Sequence, residues 1–192
     1  MTALTDPVAP DRWTVDAFLR LVTDGVLGPD DRVELLEGVI VSMAPQDVPH
    51  ATGMALVSRA LFGVVGRDAH VRIQLPFRAG GHSLPEPDAA VVAGSPNDYH
   101  DHPSAALLVV EVADTSLKHD RLTKRAIYAA ANVPEYWIVN IPDDCVEVRR
   151  DPDPGGRRYA SVTIARRGDT LALLELPGVR ISVGDLLPTR AH

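Results

Sequence analysis

The period of apolar and polar positions changes several times along the chain, and each change marks an element. After Thr14, VDAFLRLV places Val15, Phe18, Leu19 and Val22 at helical intervals, which predicts a short amphipathic helix with Thr14 as its N-cap. RVELLEGVIVSM holds two apolar segments divided by Glu37-Gly38, the pattern of a β-hairpin. A helix is predicted near residues 50 to 64, around MALVSRALFGVV. In AHVRIQLPFR, Val71, Ile73 and Leu75 alternate with Arg72, Gln74 and Pro76, the two-residue period of a strand with one covered face.

The middle of the chain is more uniformly apolar. AAVV after Pro87-Asp88 and the run ALLVVEV predict neighbouring strands buried on both faces. Polar ADTSLKHD, read as a connector, leads to RLTKRAIYAAAN, a helix with Asn132 at its C-terminal cap, and PEYWIVN returns as a strand. Strand, helix and strand in succession suggest a crossover. CVEVRR, YASVTI, DTLALLEL and VRISV, interrupted by DPDPGG, read as an antiparallel meander closed by Asp185-Leu186-Leu187. The expected fold class is α+β (mixed α/β), with a central mixed β-sheet flanked by helices and extra antiparallel strands. With no internal repeat, residues 12–187 are expected to form one domain between tails at 1–11 and 188–192.

Composition narrows the class. A chain of 192 residues buries enough surface for one self-supporting core, and no apolar run approaches the eighteen or more residues of a membrane span. Cys145 has no cysteine to pair with and the N-terminal stretch lacks an export signal, so a cytoplasmic location is expected. The formal net charge of −7 argues against a protein that coats nucleic acid non-specifically. It leaves room for a nuclease, which needs local positive charge beside an acidic metal centre. The basic residues are seventeen arginines and two lysines, and both lysines, Lys118 and Lys124, fall in one short stretch.

That stretch adjoins the acids that stand out. A carboxylate inside an apolar strand is costly unless paired or metal-bound, and Glu111 sits in VVEV while Asp88 opens another apolar strand. Acids on adjacent strand ends can converge, and Mg²⁺ or Mn²⁺, which prefer oxygen ligands, relieves their repulsion. Singly, Asp88 also reads as a turn residue and Glu111 as half of a salt bridge to arginine. Lys124 shares a helical face with Asp120 and Tyr128 and could orient or help deprotonate an attacking water, or offset charge on a phosphoryl oxygen. A surface ion pair with Asp120 is the plainer alternative, and Lys118 competes for the same role. Glu34 in RVELLEG is a possible further member, whereas Glu37 beside the turn is expected to be solvated. Gln74 lies on the strand face of Arg72, and His50 could contact a phosphate or cap a helix. His100 and His102 lack the partners of a structural zinc site. No serine-hydrolase, dinucleotide or P-loop motif is present.

Taken together, RVELLEGVIV, PEPDAAVV, LLVVEVADTSLKHDRLTKRAIYAAANVPEYWIVN and the terminal VGDLL resemble the Uma2 or DUF820 group of restriction endonuclease-like proteins, within the PD-(D/E)XK nuclease superfamily. The resemblance spans most of residues 12 to 187 and implies a restriction-endonuclease-like core. It matches Asp88 to the acid of the PD half, Glu111 to the second metal-binding acid and Glu34 to the family's upstream glutamate. The simple superfamily pattern places a lysine two residues after Glu111, where this chain has Ala113; the resemblance implies that a lysine of the following helix replaces it, and Lys124 matches. The implied activity is Mg²⁺- or Mn²⁺-dependent hydrolysis of phosphodiester bonds by an endonuclease acting on DNA, with Asp88, Glu111 and Glu34 as metal ligands. Arg72, Arg78, Arg121 and Arg125 are candidate contacts to the nucleic-acid backbone, and gripping two strands is compatible with a homodimer. Two rivals stand beside this reading: a catalytically degenerate nucleic-acid-binding or protein-interaction module, and a metal-dependent phosphoesterase acting on small nucleotides.

Overall fold

In the computed structural model, which describes residues 12–28 and 30–189, Thr14 Oγ1 accepts a hydrogen bond from Ala17 N and opens α1 (Val15–Thr23). The expected tail at 1–11 and the last three residues of the expected C-terminal tail lie outside the described residues. β1 (Val33–Leu36) and β2 (Val39–Ser42) form the hairpin, and its two turn residues, Glu37 and Gly38, have φ of 52° and 80°. Left-handed conformations at both central positions match the twist of the flanking strands, which is why a glycine stands at the second. Asp47 caps α2 (Val48–Val64) by accepting from His50 N. β3 (Ala69–Ile73), β4 (Ala89–Ala93) and β5 (Leu108–Ala113) follow. A helical crossover built of α3 (Leu117–His119), a π turn (Asp120–Lys124) and α4 (Arg125–Ala130) leads to β6 (Glu135–Asn140). β7 (Cys145–Asp153), β8 (Arg158–Arg166), β9 (Thr170–Ala172) and β10 (Arg180–Ser182) complete the strands.

Six strands make one mixed sheet in the order β3-β4-β5-β6-β7-β8, antiparallel throughout except for the parallel pair β5–β6 that the crossover joins. Alternation along the central strands sends side chains to two separate cores. Val110, Val112, Trp137 and Val139 pack with Val57 and Leu61 of α2, with Ile181 and with Leu186. Val109, Ala113, Tyr136 and Ile138 face the other way, against Ile127 and Tyr128 of α4 and against Phe77. A sheet covered on both faces needs no polar stripe, so β5 and β6 are buried along their whole length. Glu111 belongs to the α4 side, flanked by Val109 and Ala113. A third, smaller cluster of Val15, Phe18, Leu35 and Leu84 fastens α1 and the hairpin to the segment before β4.

Three features differ from the periodicity reading. β3 stops at Ile73 because Gln74 turns to φ 47°, leaving Leu75 exposed off the strand rather than in line with Val71. The stretch ADTSLKHD is not only a connector, for the helical path begins at Leu117. The C-terminal meander divides: β7 and β8 extend the main sheet, whereas β9 pairs only with β10 in a separate two-stranded sheet. Asn132 stands just past the Ala131 cap of α4 at φ 56°, a left-handed helix exit that asparagine accepts at little cost. Among the described residues no helix is long and apolar enough to cross a membrane.

Candidate active site

Strand register brings the two principal acids together. Ala89 of β4 pairs with Val110 of β5, so Asp88, one position earlier, lies beside Glu111. Asp88 N reaches Glu111 Oε2 at 3.4 Å, and Asp88 Oδ2 accepts from Val112 N at 2.7 Å. The hairpin supplies the third carboxylate: Leu35 and Leu84 exchange backbone hydrogen bonds, and this docking lets Glu86 N donate to Glu34 Oε2 at 3.2 Å. The crossover supplies the cation. Lys124 Nζ donates to Glu34 Oε2 at 2.6 Å and stands 3.5 Å from Glu111 Oε1. Tyr128, one turn on, donates its hydroxyl to the same Glu111 oxygen at 2.6 Å.

The π turn explains how one helix presents Asp120, Lys124 and Tyr128 together. Four residues of α-helix overshoot a full turn by about 40°, so positions four apart drift around the axis. A π turn is wider and four residues fall short of a full circuit, which opposes the drift across Asp120–Lys124. All three side chains are buried as a result. Glu34, Asp88, Glu111, Asp120 and Lys124 line a cleft of about 340 Å³, whose wall also includes His50, Gln74, Glu86 and His119.

Burial and like charge dominate its electrostatics. Desolvation pushes the Glu111 carboxyl well above the usual carboxylate range; Lys124 opposes the rise, while Asp88 and Asp120 add to it. Asp120, whose Oδ2 accepts from Ser116 Oγ, is lifted to about 6 mainly by desolvation. Desolvation and then Glu34 raise Glu86. For Lys124, burial works against the ammonium, but Glu111 and Glu34 outweigh it and the pKa is raised. The His50 pKa is raised chiefly by the hydrogen bond between Nε2 and Asp88 Oδ2, at 3.2 Å.

The structure thus gathers Glu34, Asp88, Glu111 and Lys124 in one place. Lys118 is exposed and does not line the cleft. Asp120 does not pair with Lys124 as a surface ion pair but turns to Ser116. His50 is itself capped by Asp47 and steadies Asp88, and Glu37 pairs with Arg157 at a partly exposed position. Arg121 is bound to Glu147, and Arg78 to Asp16 and Asp101, so both already have carboxylate partners. Sequence reasoning missed the hydrogen bond from Tyr128 to Glu111 and the inclusion of Glu86 and Ser116 in the cleft. The four-residue spacing from Lys124 to Tyr128 was a usable signal for the first.

A cation fits the donor set in one respect and meets a constraint in another. Glu34, Asp47, Glu86, Asp88, Glu111, Asp114 and Asp120 line the cleft against Lys124 and Arg32, an excess of carboxylate that burial makes costly. Among the described residues, however, no group of three or more His, Cys, Asp or Glu side chains already stands in metal-holding geometry. Glu34 Oε2 is committed to Lys124, and Asp88 and Glu111 remain as the adjacent pair.

No curated protein matches the chain. Among solved structures, the crystal structure of "a putative nuclease belonging to DUF820" from Anabaena variabilis has the same fold, with a TM-score of 0.71 and 18% sequence identity over 90% of this chain and 96% of that one. The family model of Uma2, described as "Putative restriction endonuclease", matches residues 15–184, from the first turn of α1 through both site acids and Lys124 to the turn after β10. The chain therefore belongs to the Uma2 family.

Proposed function

We propose that the protein is a metal-dependent endonuclease that hydrolyses phosphodiester bonds in DNA. The observation that carries this reading is the buried convergence of Asp88 and Glu111 from adjacent strands with the Lys124 ammonium, in an open cleft whose carboxylates exceed its cations. Mg²⁺ or Mn²⁺ held by Asp88 and Glu111, with Glu34 as the third carboxylate of the set, would polarise the phosphate and acidify a water. Glu111 is oriented by Tyr128 and Lys124 through one oxygen, so its other oxygen stays on the Asp88 side. Asp88 is held by Val112 N and His50. Glu111 and Glu34 raise the Lys124 pKa and so favour the ammonium. As an ammonium it would donate a hydrogen bond and offset charge on a phosphoryl oxygen in the transition state.

The test is calorimetric titration of Mg²⁺ and Mn²⁺ into the protein and into the Asp88→Ala/Glu111→Ala double variant, followed by cleavage assays on single- and double-stranded DNA and on mononucleotide esters. Metal binding and DNA cleavage that both vanish in the variant support the reading. Cleavage retained by the variant overturns the site. Cleavage confined to mononucleotide esters moves the activity to the small-phosphoester class, and an intact fold with neither binding nor cleavage identifies a degenerate module.

A further inference from the structure

The cleft does not end at the carboxylates. A second hollow of about 390 Å³ is lined by Asp31, Arg32, Val33, Met43, Gln46, Gln74 and Glu86. Arg32, Met43, Gln46, Gln74 and Glu86 line the first hollow as well, so the two are lobes of one trough. Glu34, Asp88, Glu111, Asp120 and Lys124 line only the first lobe; the second shares Glu86 with it and adds Asp31, so Arg32 is the cation that offsets these two carboxylates there.

Two residues at the junction stand out. Arg32 is the cationic side chain common to both lobes, and it lies immediately before β1, two positions from Glu34. Among the described residues its guanidinium has no hydrogen-bond or ion-pair partner, unlike Arg78, Arg121 and Arg150, which are tied to carboxylates. Gln74 has φ 47° where β3 breaks off, an uncommon conformation for a residue other than glycine, asparagine or aspartate. Its backbone N–H donates to Asp88 O, which anchors the break directly to the strand entry that carries the catalytic acid. A non-glycine residue held at positive φ beside a reaction centre is the kind of local strain that clusters at functional sites.

We infer that the second lobe is a subsite for the nucleotide next to the scissile phosphodiester, with Arg32 holding that nucleotide's phosphate and the Gln74 amide meeting its polar edge. This rests on the nuclease reading and deepens it. A mononucleotide ester would fill the first lobe and leave the second empty; a polynucleotide presents a further phosphate and base to it. An acidic protein needs a local cation to accept that second phosphate, and the guanidinium offers a fork that matches phosphate oxygens. Gln74 supplies both a donor and an acceptor, which suits a base or sugar edge.

The experiment compares the wild type with Arg32→Ala, Arg32→Lys and Gln74→Asn, using a mononucleotide 5′-phosphate and a short single-stranded oligodeoxynucleotide as probes. Asn tolerates the left-handed backbone but is one methylene shorter, so it tests reach without adding strain. Anisotropy with a fluorescent oligonucleotide in Ca²⁺ buffer reads affinity, and steady-state cleavage in Mn²⁺ reads kcat and KM. The wild type is expected to bind the oligonucleotide at least about tenfold more tightly than the mononucleotide, and Arg32→Ala to lose most of that gain. The slope of log affinity against log salt should fall by about one contact, with Arg32→Lys restoring it in part. In cleavage, Arg32→Ala and Gln74→Asn should raise KM for the oligonucleotide more than they lower kcat. Unchanged affinity, salt slope and KM in Arg32→Ala overturns the subsite while wild-type cleavage leaves the nuclease reading standing. Absence of metal-dependent cleavage by the wild type overturns the nuclease reading and the subsite with it.

Discussion

Lys124 shows how strongly one side chain can depend on its surroundings. A buried ammonium survives because Glu34 accepts its proton-bearing edge at 2.6 Å and Glu111 stands behind it, so removing the lysine strands two buried carboxylates. Lys124→Ala is expected to cost about 3 kcal/mol in urea unfolding in metal-free buffer, as for other broken buried pairs, and to abolish most cleavage when assayed in Mn²⁺. Lys118→Ala, at an exposed position, should change stability by less than about 0.5 kcal/mol. Asp120 makes the complementary case. Its pKa is raised to about 6 in the folded protein, against about 3.9 in an unfolded chain. Between those values the folded state holds a proton that the unfolded state has lost, so this group's contribution to stability declines as pH rises from about 4 to 6 and stays lost above that window. Asp120→Asn should therefore stabilise the metal-free protein at pH 8 relative to wild type and give little change at pH 4, as read by denaturant midpoints at the two pH values.

Elements decide where such residues can meet. The π turn is held from outside the cleft: Glu147 of β7 is buried, its Oε1 accepts from Arg121 Nε at 2.8 Å and from Asn140, and its Oε2 accepts from Arg149 at 2.6 Å. Arg121 lies between Asp120 and Lys124 in sequence, so this clamp fixes the turn that aims both. Burial alone would raise Glu147, but Arg121 and Arg149 hold it below the usual range. Glu147→Gln is expected to destabilise the fold by about 2 kcal/mol and to lower kcat with little effect on substrate affinity, which thermal unfolding and steady-state kinetics would show. None of this clamp was legible in the sequence, because Glu147 in CVEVRR alternates like any half-exposed strand residue and its partners come from a different element. The hairpin, α2, the buried strands and the crossover were legible, since each carries a local period and a local turn signal. Asp88 and Glu111 stood out because they interrupt apolar runs, Lys124 because it is one of two lysines and shares a helical face with Asp120, and Glu34 as an acid in a partly covered strand; the family resemblance then favoured Lys124 over Lys118. The π turn and the break at Gln74 were not legible: both are single-turn departures from a regular path, set by tertiary contacts that leave no periodic trace.

At the scale of the whole molecule, one covered sheet and three small clusters make the site a property of the complete fold. If a divalent ion binds between Asp88 and Glu111 with a dissociation constant near ~1 mM, about 10 mM of it should add about 1.4 kcal/mol of stability by mass action. For a chain of this size that is a rise of roughly 3–5 °C in Tm, expected with Mn²⁺ or Mg²⁺ and absent in the Asp88→Ala/Glu111→Ala variant; differential scanning calorimetry would read it. The ion pair between Lys124 and Glu34 joins residues 90 positions apart. During synthesis, every carboxylate that lines the cleft leaves the ribosome before the ammonium does, and β6, which completes the seat of the crossover, follows later still. An unfinished chain is thus born with its charges unbalanced and its cleft unmade, and a truncated product inherits the same defect. The cleft therefore stays unmade until the segment that carries Lys124 and β6 has joined the one that carries Glu34, Asp88 and Glu111.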